Sequence, residues 1–169
     1  MSIYTIGYDH MQPPRLVRLM EHLQIDLLVD SRSIPQSRRP GFGGQHLRQL
    51  FPQKYAWQGQ NLGGRGAGAT AEGIGWLAGY EQSKRLLLLC KEEAPAMCHR
   101  HFQIALKLLD RLAQTPVIAG VDRSPLLHHL DCLHVYRDEI ILASELQGAI
   151  EQQRPYDILA TLPAEFASS

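Results

Sequence analysis

The chain has 169 residues, of which 44% are hydrophobic, and its 17 Lys and Arg residues balance 17 Asp and Glu residues, so the formal net charge is zero. This size and hydrophobic content are typical of one folded domain, which we expect over residues 1–169, and they exclude a chain that is disordered throughout. A neutral chain lacks the overall positive field that binds nucleic acid non-specifically, although local basic patches remain open.

No stretch of the sequence is typical of an export signal or a membrane span. Residues 1–7 lack a charged start followed by an apolar region, and the longest apolar run, residues 86–90, has the length of a buried strand. The three cysteines are an odd number, which favours reduced thiols over a disulfide framework. We therefore expect a cytoplasmic protein with no membrane partner. The sequence indicates no oligomeric state.

Apolar periodicity predicts an alternation of strands and helices. Strands are predicted at residues 3–6, 26–30, 54–58, 85–90 and 116–119. Helices are predicted at residues 13–23, 46–51, 70–84 and 98–113. A hairpin is predicted from residues 132–136 and 139–143, followed by Ser144 as the N-cap of a helix and by a tail that packs as an extended arm. The pattern predicts an α/β fold, with a mostly parallel sheet, helices on both faces in a three-layer sandwich, and an antiparallel hairpin near the C-terminus.

Polar or glycine-rich sequence follows four of the predicted strands. These segments begin at residues 7, 30, 63 and 90. Because ligands of open α/β sheets bind beyond the carboxyl ends of the parallel strands, we expect the four segments to meet in one pocket.

Two cysteines at the end of the fourth of these strands could carry chemistry. Cys90 is predicted at the sheet edge, and Cys98 at a helix start beside His99 and Arg100. A helix N-terminus and neighbouring cations favour the thiolate, which is the nucleophilic form of cysteine. Glu92 or His99 could then transfer protons. We predict a catalytic group of Cys90, Glu92, Cys98 and His99, with simple packing of the buried thiols as the alternative.

A zinc site is a second use for the same cysteines, completed by nearby histidines. However, Cys90 and Cys98 are separated by seven residues, the chain has no Cys-x-x-Cys motif, and the spacing matches no recognised zinc pattern. The sequence therefore assigns no metal, and it identifies no cofactor.

Arginines and glycines in the same segments predict an anion-binding pocket, because guanidinium groups and glycine-rich backbone together hold phosphate. The residues assigned to it are Gly7, Asp30, Arg32, Arg38, Arg39, Gly63, Gly64, Arg65 and Arg100. Asp30 would either transfer protons or pair with an arginine and hold its loop. The glycine-rich stretch of residues 63–68 matches neither a P-loop nor a dinucleotide-binding motif.

These residues predict an enzyme that acts on a phosphate-bearing small molecule or nucleic-acid component. One alternative is a non-catalytic module that binds nucleotides or nucleic acid. Another is a thiol redox sensor, which would require the loop between Cys90 and Cys98 to fold back until their Cα atoms lie within about 7 Å.

A series of motifs in the first part of the chain resembles a known family. The motifs are Ile3-Tyr-Thr-Ile-Gly7, Asp26-Leu-Leu-Val-Asp-Ser-Arg-Ser-Ile-Pro35, Ser37-Arg-Arg39, Leu62-Gly-Gly64 and Cys90-Lys-Glu, followed by Cys98-His-Arg100. Their order and spacing resemble the family catalogued as domain of unknown function 488, from the N-terminus to about Ala113. The resemblance implies a bacterial cytoplasmic α/β protein with its site at these motifs. It implies no reaction, although some members carry a DNA-repair label. The chain departs from the family at Tyr8, where His is frequent, and at Ser31, where Val is frequent. The departure at Tyr8 weakens the case for a required base at that position.

Overall fold

A seven-stranded sheet runs through the described part of the chain, which in this computed structural model comprises residues 2–114 and 130–166. The strands are β1 (Ile3–Gly7), β2 (Leu27–Asp30), β3 (Tyr55–Trp57), β4 (Leu86–Cys90), β5 (Leu133–Tyr136), β6 (Glu139–Leu142) and β7 (Ala160–Thr161). Their order across the sheet is β3-β2-β4-β1-β5-β6-β7. The first five in this order are parallel, and β6 and β7 continue the sheet in antiparallel pairing.

Helices and short helical turns connect the strands. The α-helices are α1 (Pro13–His22), α2 (Gly44–Leu50), α3 (Gly59–Leu62), α4 (Ala71–Glu81), α5 (Leu106–Ala113) and α6 (Ala143–Gln152). A π-helical segment, Arg100–Ala105, leads directly into α5, and 3₁₀ turns occupy Pro95–Met97 and Ala164–Phe166. None of the helices within residues 2–114 and 130–166 combines the length and apolar character that crossing a membrane requires.

The residues of β4 show how the sheet divides the core. All five of them are buried, as expected for a central strand covered on both faces. Leu87 and Leu89 belong to the core that includes α1 and α2, whereas Leu86 and Leu88 belong to the core that includes α4 and α5. The predicted α/β fold, with its mostly parallel sheet, helices on both faces and C-terminal hairpin, is therefore confirmed.

Local sequence explains where two of the helices begin. Pro13 stands at the first turn of α1, where a missing N–H costs nothing. Thr70 caps α4, since its hydroxyl oxygen accepts a hydrogen bond of 3.1 Å from the backbone N–H of Gly73.

Apart from small shifts of element ends, the elements differ from the prediction in three places. α3 was not predicted, because its Gly59-Gln-Asn-Leu62 sequence has neither helical periodicity nor a cap. The helix predicted from Cys98 starts at Arg100 and is π-helical over its first residues. The prediction that Ser144 is an N-cap was wrong. Helix α6 begins at Ala143, and the hydroxyl and N–H of Ser144 donate to Asp131. The strand predicted at residues 116–119 lies outside the described residues.

Candidate functional site

The carboxyl ends of β1, β2 and β4 lie side by side and open into a cavity of about 620 Å³. The sheet register pairs Gly7 with Cys90 and Asp30 with Leu89, so the residues that follow these strands meet at one edge. The cavity is lined by Tyr8 after β1, by the loop between Arg32 and Arg38, by residues 64–65, by residues 90–92 and by His99. The four segments predicted to converge do therefore meet here.

Two thiols, a carboxylate and an imidazole meet at the floor of this cavity. We call this group the thiol cluster; its members are Cys90, Glu92, Cys98 and His99. The Sγ atoms of Cys90 and Cys98 lie 3.0 Å apart, and Glu92 Oε2 lies 3.4 and 3.3 Å from them. The Nδ1 atom of His99 lies 3.3 Å from the Cys90 sulfur and 3.9 Å from the Cys98 sulfur. Cys98 is buried and does not line the cavity, whereas the other three members do.

Backbone contacts with the end of β1 hold the segment from Cys90 to Glu92 in place. The N–H groups of Tyr8 and Asp9 donate to the carbonyls of Cys90 and Lys91 at 3.1 and 3.0 Å, extending the β1–β4 ladder. A Cβ atom on Gly7 would come within 1.7 Å of the Glu92 carbonyl oxygen, so only glycine allows this approach. Gly7 thus shapes the cluster from outside the cavity and is not part of its lining.

Arg100 holds the loop that joins the two cysteines. Its side chain is fully buried, with Nε donating to Thr5 Oγ1 at 3.1 Å and Nη2 donating to the Glu93 carbonyl at 2.7 Å. Nη1 donates to the carbonyl of Glu92. No carboxylate of the described residues pairs with this guanidinium, and its positive charge favours the thiolate forms of the neighbouring Cys90 and Cys98. Arg100 therefore does not face the cavity as the anion hypothesis expected.

The two thiols do not ionise independently. The hydrogen bond between them lowers the pKa of Cys98 and raises the pKa of Cys90, because the pair gives up one proton far more readily than two. Burial is the largest effect on His99 and disfavours its imidazolium, but the hydrogen bond and the charge of Cys98, together with smaller effects of Ser31 and Glu92, raise its pKa on balance. Burial likewise disfavours the carboxylate of Glu92, yet its backbone N–H and the two thiols lower its pKa on balance.

Asp30 and Arg32 form a buried pair below the cavity. Arg32 donates from Nε and Nη2 to the two carboxylate oxygens of Asp30 at 2.8 and 2.6 Å, and from Nη1 to the Phe42 carbonyl at 2.7 Å. The hydroxyl of Tyr55 donates to the same carboxylate at 2.6 Å. Burial works against the charge of Arg32, but its bonds to Asp30 raise its pKa. Asp30 orients Arg32 and holds the loop, the second of the two roles that the sequence left open.

Three cations at the cavity have no such partner. We call Arg38, Arg65 and Lys91 the rim cations; all three side chains are exposed and line the cavity. Within residues 2–114 and 130–166, no hydrogen bond or ion pair engages their charged groups. Lys91 was missed from the sequence, although its place directly after the Cys90 strand end is the signal that could have found it.

The remaining residues assigned to the pocket lie at its margins. Arg39 donates to the Met11 carbonyl at 2.8 Å and lines a neighbouring groove. Gly63 is buried outside the cavity lining, whereas Gly64 lines the cavity, where an added Cβ would lie 2.9 Å from the ring of His99. Gly64 is therefore needed for the position of the imidazole.

A chain of buried polar side chains runs from Arg100 away from the cavity. Thr5 Oγ1 lies 2.6 Å from His134 Nδ1, and His134 Nε2 lies 3.0 Å from His101 Nδ1. His101 Nε2 lies 3.0 Å from Gln147 Oε1, which can only accept. Nothing in the sequence indicated these hydrogen bonds between side chains, because Thr5 and His134 are 129 positions apart.

Comparison with protein-family models, with curated proteins and with solved structures yields no match for this chain. The resemblance to the domain of unknown function 488 family therefore stays a prediction.

Proposed function

We propose that the protein is an enzyme that acts on a phosphate-bearing small molecule or nucleic-acid component bound in this cavity, with the thiol cluster as its reactive group. The observation that carries the proposal is the set of three rim cations, which face the cavity without a partner among the described residues. Guanidinium and ammonium groups are the side chains that proteins use to bind phosphate.

The size and composition of the cavity support a small ligand. A volume of about 620 Å³ lies within the range of about 300–1,000 Å³ that is typical of small-molecule sites. Positive groups at the rim and titratable groups at the floor would place the anionic part of a substrate next to the thiol cluster. Arg32 contributes by fixing the loop that bears Arg38, since its own charge is held by Asp30.

Ligand binding tests the anion part of the proposal. Inorganic phosphate and nucleoside phosphates are titrated into the full chain and followed by calorimetry, with Lys91→Gln compared with Lys84→Gln. Both lysines are exposed and flank β4, but only Lys91 lines the cavity. We expect Lys91→Gln to weaken binding about tenfold, the effect of about 1.4 kcal/mol, and Lys84→Gln to leave it unchanged. Equal effects of the two variants, or affinity that does not fall with added salt, would exclude binding through these cations.

Turnover tests the role of the thiol cluster. Nucleotides and short nucleic acids are screened as substrates with the wild type, Cys90→Ser and Cys98→Ser, and Cys132→Ala removes the third thiol as the control. We expect the first two variants to lose turnover while still binding phosphate, and the control to keep both. If both serine variants turn over a genuine substrate as fast as the wild type, the cluster is not the reactive group.

A second candidate function, thiol redox sensing, is favoured by the separation of 3.0 Å between the Sγ atoms of Cys90 and Cys98. Hydrogen peroxide would oxidise the two thiols to a disulfide and be reduced to two molecules of water. Mass spectrometry after mild peroxide treatment should then find a Cys90–Cys98 link and an unmodified Cys132. The absence of that link would exclude such a switch.

A further inference from the structure

Four donor atoms of three chemical kinds converge on one point in the thiol cluster. Two sulfurs, one imidazole nitrogen and one carboxylate oxygen all lie within 4.8 Å of one another. Packing alone explains why a cysteine is buried, but it does not explain why a carboxylate and an imidazole turn toward the same pair of sulfurs.

The distances from the sulfurs to the nitrogen and oxygen atoms lie close to those of a tetrahedral zinc site. Zinc lies about 2.3 Å from sulfur and about 2.0–2.2 Å from nitrogen or oxygen, so its sulfur ligands lie about 3.6 Å from its nitrogen and oxygen ligands. The four corresponding distances in the cluster are 3.3, 3.3, 3.4 and 3.9 Å. The two sulfurs, at 3.0 Å, would have to move apart by about 0.8 Å, which small side-chain rotations allow.

The donor set also selects the metal. Two thiolates with an imidazole suit zinc, whereas magnesium and calcium require oxygen ligands throughout. The seven-residue separation of Cys90 and Cys98 matches no zinc motif. The two cysteines nevertheless lie together, because the 3₁₀ turn Pro95–Met97 and the hydrogen bonds of Arg100 close the loop between them. A search for sequence spacing therefore cannot find this arrangement.

The surroundings hold the donor atoms in place without help from a ligand. The backbone N–H of Arg100 donates to Cys98 Sγ at 3.5 Å. The Nε2 atom of His99 is buried and has no hydrogen-bond partner among the described residues. Nδ1 of His99 faces the sulfurs, so a metal bound there would leave the proton of the neutral ring on Nε2.

We propose that the thiol cluster binds one Zn²⁺ ion. Cys90, Cys98 and His99 form its inner ligands, and Glu92, the exposed member, completes the tetrahedron at the cavity side. A phosphate oxygen of a substrate can take the place of this carboxylate, so that the ion polarises the phosphate; this role in catalysis rests on the proposed function, whereas metal binding does not.

Cobalt substitution tests the site on the full chain. Zinc-free protein is prepared with a chelator and titrated with Co²⁺, whose charge-transfer and d–d bands report thiolate ligands and tetrahedral geometry. We expect one equivalent to bind, to give these bands, and to be displaced by one equivalent of Zn²⁺. Cys98→Ser should weaken Co²⁺ binding at least about 100-fold, and Cys132→Ala should leave it unchanged. Wild-type protein without these bands, or equal loss in both variants, would overturn the site.

Two further measurements keep the test decisive. Glu92→Gln alters only an exposed group, so it should fold even if Cys98→Ser does not, and it should weaken Co²⁺ binding about tenfold. Unchanged binding in Glu92→Gln would overturn the four-ligand site. Phosphate binding is measured on the zinc-free and on the zinc-loaded sample: if phosphate binds and the cobalt bands are absent, the zinc site fails and the proposed function survives. If cobalt binds but neither sample binds phosphate, the proposed function fails and the zinc site stands.

Discussion

The guanidinium of Arg100 holds the backbone of Glu92 in place, because its Nη1 donates to the Glu92 carbonyl from a fully buried position. The same group donates to Glu93 and to Thr5, so one side chain ties the loop after β4 to the strand β1. This contact determines the path of the loop, and the path of the loop brings Cys98 back to Cys90.

Replacement of Arg100 by Lys should therefore loosen the loop while keeping the charge. Lysine is a single point donor and cannot serve three acceptors that lie in different directions. We expect the free energy of unfolding in urea to fall by about 2–4 kcal/mol, since hydrogen bonds to charged groups contribute about 1.5–3 kcal/mol each. Arg48→Lys is the control, because Arg48 is exposed and only stacks over Tyr55. Similar losses in both variants would contradict the role of Arg100.

The buried pair of Asp30 and Arg32 predicts a second stability effect. Asp30→Asn keeps the shape of the side chain but leaves the buried guanidinium without a counter-charge, which typically costs about 3–5 kcal/mol. Glu145→Gln breaks the exposed pair with Arg154 and should change the stability little. Urea unfolding of both variants checks the prediction, and an unchanged midpoint for Asp30→Asn would contradict it.

The sequence predicted where the site lies better than it predicted what each arginine does. Four strand ends with polar or glycine-rich sequence were enough to place the cavity, because parallel strands bring their carboxyl ends to one edge. Arg32 and Arg100 were expected to hold an anion, yet both are buried and bonded within the protein. The pair of Arg32 with Asp30 is local and was one of the two roles left open for Asp30, whereas the contacts with Phe42 and Thr5 depend on the tertiary fold.

The thiol cluster shows the same limit. Cys90, Glu92, Cys98 and His99 were chosen for their chemistry, and they do lie together. The distance between the two sulfurs could not be predicted, since it depends on how a loop of seven residues closes. The π-helical start of the following helix, where Arg100 and His101 are both buried, also has no signature in the apolar pattern.

A third prediction concerns the contact between Gly64 and the His99 ring of the thiol cluster. Gly64→Ala would place a Cβ atom 2.9 Å from Cγ of His99, so the imidazole must shift away. We expect the NMR signals of the His99 ring to move and Co²⁺ binding to weaken about tenfold, the lower end of the effect of removing a supporting contact. Gly79→Ala is the control: an added Cβ meets no atom within 4 Å there, and the change should stabilise α4 by about 0.5–1 kcal/mol. An unshifted His99 ring in Gly64→Ala would contradict the prediction.

His134 predicts that the protein loses stability in mild acid. Its pKa lies well below the ordinary value, because burial disfavours the imidazolium and because Arg100 and His101 repel a positive charge there. Below an ordinary histidine pKa of about 6.5, the unfolded chain binds a proton that the folded chain refuses. The contribution of His134 is therefore complete above this pH and is lost as the pH falls, by up to about 1.4 kcal/mol per pH unit.

The measurement is the free energy of unfolding in urea at several pH values from about 7.5 to about 5, which lie on either side of the ordinary histidine pKa. His134→Gln should be less stable at pH 7.5, because Thr5 and His101 lose a hydrogen-bond partner, but its stability should fall less steeply with acid. His46→Gln, which replaces an exposed histidine, should keep the wild-type slope. If His134→Gln also keeps that slope, His134 binds its proton equally in the folded and unfolded chains, and its neutral, hydrogen-bonded state is not what acid disrupts.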